Sequence, residues 1–282
     1  MSGPAYRERM GEDAGRMSTE QIRSFMTGES PGFLSQRRTF LHIPSDPRCK
    51  LCAAPFHGVG GLLLRPAGFG RSPGNPALCK KCTIELRKKG LAGVEIPVTL
   101  LFSDVRGSTA LGERMSPTDF HAFLDRFYRL ASDAIVQNDG IVDKIVGDEV
   151  IGLFFGGISG PHHQAAAVAA ATQLAERASA PDATPSGPIL AGTAVHTGDA
   201  YVGATGPPGT VDDFTALGDV VNITARLASA ARAGEVIVSL AAAQAAGTPA
   251  EGLERRTVDI RGRTEPVDVL VLRAGESAGA TG

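Results

Sequence analysis

The chain has 282 residues, 43% of them hydrophobic, and its 28 basic and 30 acidic side chains leave a net charge of −2. That composition supplies a core for one large domain or two modest ones, and a near-neutral total singles out no class of partner. No run of 18 or more strongly apolar residues occurs, and the N-terminal segment lacks the apolar stretch of a signal peptide, so neither a membrane span nor secretion is expected. A cytosolic (cytoplasmic) protein is therefore expected, in which four cysteines are thiols or metal ligands rather than disulfides. The charge is unevenly divided. Residues 1–96 carry 15 basic and 8 acidic side chains, and the remainder carries 13 and 22. This asymmetry suggests two parts that attract each other or a basic module with an anionic partner, although a solvated surface explains it equally simply.

In chain order, residues 1–45 read as a polar N-terminal arm, partly helical or flexible. Within it Ser18-Thr19-Glu20-Gln21 has the form of a capping box for a short helix ending near Gly28. Residues 46–90 hold the cysteines among glycines and prolines and end in Arg87-Lys88-Lys89-Gly90. A linker leads to an α/β pattern over 95–273, and a flexible tail, 274–282, closes the chain. The run PVTLLFSD, 97–104, predicts a buried strand. Ser116-Pro117 predicts a helix start, and Phe120, Phe123, Leu124, Phe127, Ala131, Ala134 and Ile135 recur at helical spacing up to Asn138-Asp139-Gly140. IVDKIV and VIGLFF flank Gly147-Asp148-Glu149, which predicts a hairpin with its turn at Asp148. A helix over roughly 161–180, a loop at 181–188, two strands in ILAGTAVHTG and AYVGATG, a helix at 219–232, and strands near 235–239, 254–260 and 266–272 complete the reading. The order β-α-β-β-α-β predicts an α+β fold with helices on an antiparallel sheet.

Asp104 ends the first strand, and Asp148 lies 44 residues later in the hairpin turn. Adjacent antiparallel strands can bring the two tips together. Paired carboxylates repel and call for a cation, and hard oxygen ligands beside substrate phosphates suit Mg²⁺ or Mn²⁺. Two such ions serve an in-line displacement at phosphorus, one lowering the pKa of a ribose hydroxyl and the other steadying the departing pyrophosphate. Either aspartate alone is an ordinary cap or turn residue. The surrounding motifs set them apart.

FSDVRGST, 102–109, DKIVGDEVIGLF, 143–154, and GDVVNITAR, 218–226, together with DFTALGDVVN and DIRGRTEPVDVLVL, resemble in type and order the catalytic domain of the class III nucleotidyl cyclases. The resemblance covers roughly 95–273. It implies a ferredoxin-like catalytic domain in which Asp104, Asp148 and the backbone carbonyl of Val105 hold two Mg²⁺ or Mn²⁺ ions. Gly107, Ser108 and Thr109 would cradle phosphates. Lys144 and Thr215 would read the purine, an arrangement that fits adenine, whose N1 accepts from an ammonium and whose amino group donates to a hydroxyl. Guanylate cyclases of the family carry Glu in place of Lys144. Asn222 and Arg226, one helical turn apart, would position the ribose and meet the charge at the α-phosphate. Arg261, with Arg263 as its neighbour, would hold the terminal phosphates. Because one domain carries both sets, the resemblance implies a head-to-tail homodimer with two sites and ATP as substrate. A cyclase for GTP, CTP or UTP, or a silent nucleotide-binding domain, are the rival readings. A diguanylate cyclase fits poorly, because Val146 stands where that family has the first glycine of its motif.

Cys49-x-x-Cys52 and Cys79-x-x-Cys82 form two knuckles 26 residues apart. Four thiolates so paired suit tetrahedral Zn²⁺, with an iron–sulfur centre or a redox pair as alternatives. Lys80, Lys81, Arg87, Lys88 and Lys89 are basic, but Phe56 and Phe69 are the module's only aromatics, so nucleic acid is not expected as a partner.

Overall fold

The computed structural model describes residues 18–45, 47–72, 78–88, 93–184, 187–205, 213–260 and 262–274. Its elements divide between two compact units, Met1–Ile96 with Tyr201–Thr215, and Pro97–Ala200 with Ala216–Gly282. No helix among the described residues is long and apolar enough to cross a membrane.

The first unit opens with helices α1 (Thr19–Met26) and α2 (Pro31–Leu41). The predicted capping box is present: Ser18 accepts from the Gln21 backbone N–H, and the Gln21 side chain accepts from the Ser18 N–H at 2.9 Å. Helix α2 falls in what read as an unstructured arm. Its start is a Pro31 at the first turn, and Phe33 buries against Phe25 with ring centroids 4.8 Å apart. Helix α3 (Gly58–Leu64), a π-turn (Arg65–Phe69) and helix α4 (Lys80–Lys88) follow. The Gly-rich spacer between the knuckles is thus folded rather than looped out. Phe69 is buried there and meets Phe40 edge to face at 5.0 Å.

The second unit is built on a sheet whose strands are β1 (Val94–Val105), β2 (Ile141–Val146), β3 (Glu149–Phe155), β4 (Ala191–Thr205), β5 (Asp213–Leu217), β6 (Glu235–Ser239), β7 (Glu254–Val258) and β8 (Val267–Arg273). Helices α5 (Ser108–Arg114), α6 (Pro117–Gln137), α7 (Gly156–Ser159), α8 (His163–Ser179), α9 (Asp219–Ala230) and α10 (Leu240–Ala246) lie between them. The sheet order is β2-β3-β1-β4-β6-β8-β7, with β5 paired to β4. The succession β1-α6-β2-β3-α8-β4 is the βαββαβ order read from the sequence, and the sheet is mixed but mostly antiparallel. Strands β4 and β6 run parallel, as a connection through a helix requires.

Helix α6 forms because its apolar residues repeat at helical spacing behind a Ser116 cap that accepts from the Asp119 N–H at 3.1 Å. It buries Phe127, Ala131, Ala134 and Ile135 against Leu174 and neighbouring alanines of α8. Both helices share a core with alternate residues of the sheet, Leu101 and Val105 of β1, Val150 and Phe154 of β3, and Ala191 and Val195 of β4.

Three differences from the sequence reading have physical causes. The segments read as two strands around Gly198-Asp199 are one 15-residue strand, β4. Gly198 makes no turn; a Cβ there would come within 3.3 Å of Val220 Cγ2, so the glycine admits the close approach of α9. Residues 192 and 198 have the opposite parity to 191 and 195, so α9 lies on the other face of β4 from α6 and α8. Strand β5 escaped notice because its five residues follow the Pro207-Pro208-Gly209 turn signal and pair only with a distant strand. Helix α10 is seven residues of mostly alanine, fixed by the Ser239 hydroxyl accepting from the Ala242 N–H at 3.3 Å.

Candidate active site

The carboxyl end of β1 meets the β2–β3 turn. In the antiparallel register Asp104 lies opposite Glu149, and the Val105 N–H donates to the Asp148 carbonyl at 3.3 Å. Only Gly147 and Asp148 separate the paired residues Val146 and Glu149, so the turn is tight, and Gly147 supplies a φ of 60°. The Tyr128 hydroxyl donates to the Gly147 carbonyl and ties the turn to α6.

This places Asp104 and Asp148 together, as strand adjacency suggested. Burial raises the Asp104 carboxyl to about 6, helped by its hydrogen bond to Asp148 and by that residue's charge, while Arg106 opposes the rise. Burial likewise raises Glu149 to about 7, and both aspartates add to it. Arg106 stands beside the pair, with Nη1 3.3 Å from Asp104 Oδ2. The result is a hard-oxygen donor set with surplus negative charge, and its chemistry fits a divalent cation. Val105 is buried and follows Asp104 directly. Gly107, with φ 72°, turns the chain into α5, whose first residues are Ser108 and Thr109.

The remaining candidates are distributed as follows. Lys144 lies on β2 paired with Ile151, its ammonium 3.9 Å from Asp143 Oδ2 and its side chain one-third exposed. Thr215 is buried in β5, within the other unit. Asn222 and Arg226 share the exposed face of α9, whose inner face buries Val220, Ile223, Thr224, Leu227 and Ala228. Arg263 donates to Asp219, the first residue of α9. Arg261 lies outside the described residues. Two neighbours of the acidic pair went unnoticed in the sequence. Glu149 follows Asp148 directly, and only the register that sets it across from Asp104 marks it. Arg106 sits inside a motif already singled out, but its partners are far apart in sequence.

The second cluster is Cys49, Cys52, Cys79 and Cys82, whose sulfurs all lie within 4.8 Å of one another. Cys52 and Cys79 sulfurs are 3.8 Å apart, and none of the four is in a disulfide. A tetrahedron with metal–sulfur bonds of about 2.3 Å has edges of about 3.8 Å, so the cluster fits one small ion. The knuckles are braced by backbone N–H donors to sulfur, Cys79 to Cys49 at 3.2 Å and Cys82 to Cys79 at 3.3 Å. Hydrogen bonds from Cys52, Cys79 and Cys82 push the Cys49 thiol well below its usual range. Two arginines hold the first knuckle from outside: Arg37 donates to the carbonyls of Lys50 and Leu51 at 2.6 and 2.8 Å, and Arg48 donates to that of Phe40 at 2.8 Å. His57 caps α3 and is not part of the cluster.

Residues 94–272 match the family described as the adenylate and guanylate cyclase catalytic domain. The chain belongs to this family, the class III nucleotidyl cyclases. An adenylate cyclase of Anabaena cylindrica is 26% identical over 186 residues, which cover 63% of this chain and 37% of the relative. An uncharacterized protein of Mycobacterium tuberculosis is 30% identical over 205 residues, covering 71% of this chain and 36% of that protein. The chain therefore spans just over a third of the length of these curated relatives. Among solved structures, the guanylyl cyclase Cya2 aligns with a TM-score of 0.59 at 28% identity, covering 65% of this chain and 95% of that one. The adenylyl cyclase CyaB from P. aeruginosa aligns with a TM-score of 0.56 at 26% identity, covering 66% and 98%. The family's domain binds a nucleoside triphosphate and works with divalent metals. Relatives of both base preferences align comparably, so the likeness defines a nucleotidyl cyclase and leaves the base to the residues of the site.

The raised carboxyls give a signed prediction. A carboxylic acid of folded pKa about 6 to 7 and unfolded pKa about 4 favours folding below pH 4 and loses that contribution as pH climbs to about 7. A bound cation reverses the sign, because it prefers the ionised form. Mn²⁺ should therefore raise the melting temperature by about 5 °C near pH 8 and by little near pH 5. Asp104→Asn should remove most of the gain. A gain independent of pH, measured by differential scanning fluorimetry, would place the ion elsewhere.

Proposed function

We propose that the chain is an adenylate cyclase that converts ATP to 3′,5′-cyclic AMP and pyrophosphate in a head-to-tail homodimer. The observation that carries the reading is the convergence of Asp104 and Asp148 at one end of the sheet, on a chain that also presents Asn222 and Arg226 on an exposed helical face. Residues 95–273 would be the catalytic domain, 1–45 an N-terminal arm, 46–90 a zinc module and 274–282 a tail.

In this account Asp104 and Asp148, with the Val105 carbonyl, hold two Mg²⁺ or Mn²⁺ ions. When bound, these supply the positive charge that acidifies the ribose 3′-hydroxyl and steadies pyrophosphate. The chain's own residues orient the reactants. Lys144 donates to adenine N1, and Thr215 Oγ1 accepts from the N6 amino group. Asn222 aligns the ribose so that its 3′ oxygen attacks the α-phosphorus in line. Arg226 donates its fork to the α-phosphoryl oxygens, where charge builds as the bond to the β-phosphate oxygen breaks. Backbone N–H groups at Gly107, Ser108 and Thr109, and the Arg261 side chain, receive the polyphosphate.

Lys144 favours ATP over GTP, because guanine N1 is a donor and would face another donor. Loss of one such base contact is worth about 1–3 kcal/mol, so roughly ten- to a hundredfold selectivity is expected. Purified protein incubated with Mn²⁺ and each of the four triphosphates should make cyclic AMP fastest. Cyclic GMP, CMP or UMP as main product would overturn the base assignment. No product from any of them would make the domain a silent nucleotide binder.

The shared site has its own test. Asp104→Ala and Arg226→Ala chains should each be inactive yet regain about a quarter of wild-type activity when mixed, since a mixed dimer assembles one complete site. Activity linear in protein concentration with no complementation would point to sites within single chains.

For the cysteine cluster the proposal is structural or regulatory zinc. A closed four-thiolate site leaves no position open for substrate, and a small module gains its folding free energy from the metal. Mass spectrometry should find about one Zn²⁺ per chain. Cys49→Ser with Cys52→Ser should expose 46–90 to protease and change the rate without changing the product. Iron with sulfide, or redox-dependent disulfides, would replace zinc with a sensing centre.

A further inference from the structure

Arg106 occupies an unusual position between the two halves of the catalytic set. Its Nη1 lies 3.3 Å from Asp104 Oδ2. Its Nη2 donates to the carbonyl of Ala228, which belongs to the last turns of α9, the helix carrying Asn222 and Arg226. Its Nε is buried without a hydrogen-bond partner, pressed over the backbone of β4 at Gly192. A Cβ at residue 192 would collide with that guanidinium, so only glycine leaves the groove in which Arg106 lies. The backbone is held as well, with the Arg106 N–H donating to the Leu190 carbonyl at 2.6 Å. A long side chain has thus been drawn back across a strand to join the end of β1 to α9, at the cost of one unsatisfied nitrogen. An arginine can do this because its planar fork serves two acceptors at once, whereas a lysine presents a single point charge.

We propose that Arg106 is a positioning residue that acts as a resident counter-ion for Asp104 and sets how tightly the acidic pair takes a divalent cation. This rests on the reading of Asp104 as a metal ligand. The guanidinium keeps Asp104 aimed at its neighbour while no cation is bound, and it competes with an arriving cation for Oδ2. Its hold on Ala228 fixes α9 relative to the carboxylate. In a head-to-tail dimer Asp104 serves one site and the α9 of the same chain serves the other. Arg106 therefore links the metal end of one site to the transition-state residues of the second.

Two effects of opposite sign follow, and simple structural damage would not produce them. Replacing the charge with a neutral group removes a like charge from the cation's surroundings, so the metal binds more tightly. Releasing α9 misplaces Asn222 and Arg226, so turnover slows. In nucleotide-free protein, the free Mn²⁺ signal in electron paramagnetic resonance titrations should show Arg106→Gln binding Mn²⁺ roughly three- to tenfold more tightly than wild type, while kcat falls about tenfold or more. Arg106→Lys keeps the charge and loses the second acceptor, so Mn²⁺ affinity should stay near wild type and kcat should still fall. Gly192→Ala, which displaces the guanidinium without removing it, should resemble Arg106→Gln. Melting curves establish that each variant is folded, and Gly192→Ala and Arg106→Lys carry the test if Arg106→Gln is not.

Unchanged or weaker Mn²⁺ binding in both Arg106→Gln and Gly192→Ala would overturn the counter-ion role. Full kcat in Arg106→Lys would overturn the link to α9. Asp104→Ala belongs in the same titration as a separate check. Should it bind Mn²⁺ as well as wild type, the metal-ligand reading itself fails, whatever the Arg106 variants do.

Discussion

Two carboxylates placed against each other are the constraint on which the catalytic half of this molecule turns. A buried like-charge pair is unfavourable unless something pays for it. Here β1 and the β2–β3 hairpin force the encounter, and register adds Glu149 to it. The strain shows as carboxyls raised to about 6 and about 7, with Arg106 as the opposing charge. Much of the surrounding structure serves to hold the pair: the tight Gly147-Asp148 turn, the Tyr128 tether and the long buried β1. A cation relieves the repulsion, and an enzyme that works on polyphosphate brings its cations to the site together with the substrate.

The four-cysteine cluster solves a related problem in another part of the chain. Its sulfurs crowd within 4.8 Å, and the module around them is small and rich in glycine. Arg37 and Arg48 satisfy knuckle carbonyls that a larger core would have paired in regular structure. Here a metal supplies folding free energy, whereas at the acidic pair it supplies chemistry. The two clusters differ accordingly: soft thiolates, closed and mostly buried, against hard carboxylates at the end of a sheet.

The legible parts of the fold were those set by local pattern. The helical spacing of α6, the capping boxes, the Gly-Asp turn and the paired CxxC knuckles all depend on neighbours in sequence. The family's short motifs added the order of the elements. What escaped depended on distant partners. Gly198 has the chemistry of a turn residue, yet it serves close packing of α9 on a continuous strand. Strand β5 exists through its pairing with β4. Glu149 joins the acidic pair only through register, and Arg106 reaches an acceptor 122 residues away. Asp104 and Asp148 could be placed side by side from strand adjacency. The exposure of Asn222 and Arg226 followed from helical periodicity.

The central claim is that Asp104 and Asp148 are a divalent-cation site poised for nucleotide. Crystals grown with Mn²⁺ and a non-cyclisable ATP analogue, measured at a wavelength where manganese scatters anomalously, test it directly. The account predicts anomalous peaks within ligand distance of both aspartates and against the triphosphate. Peaks confined to other residues, or nucleotide bound with no manganese at the pair, would contradict it.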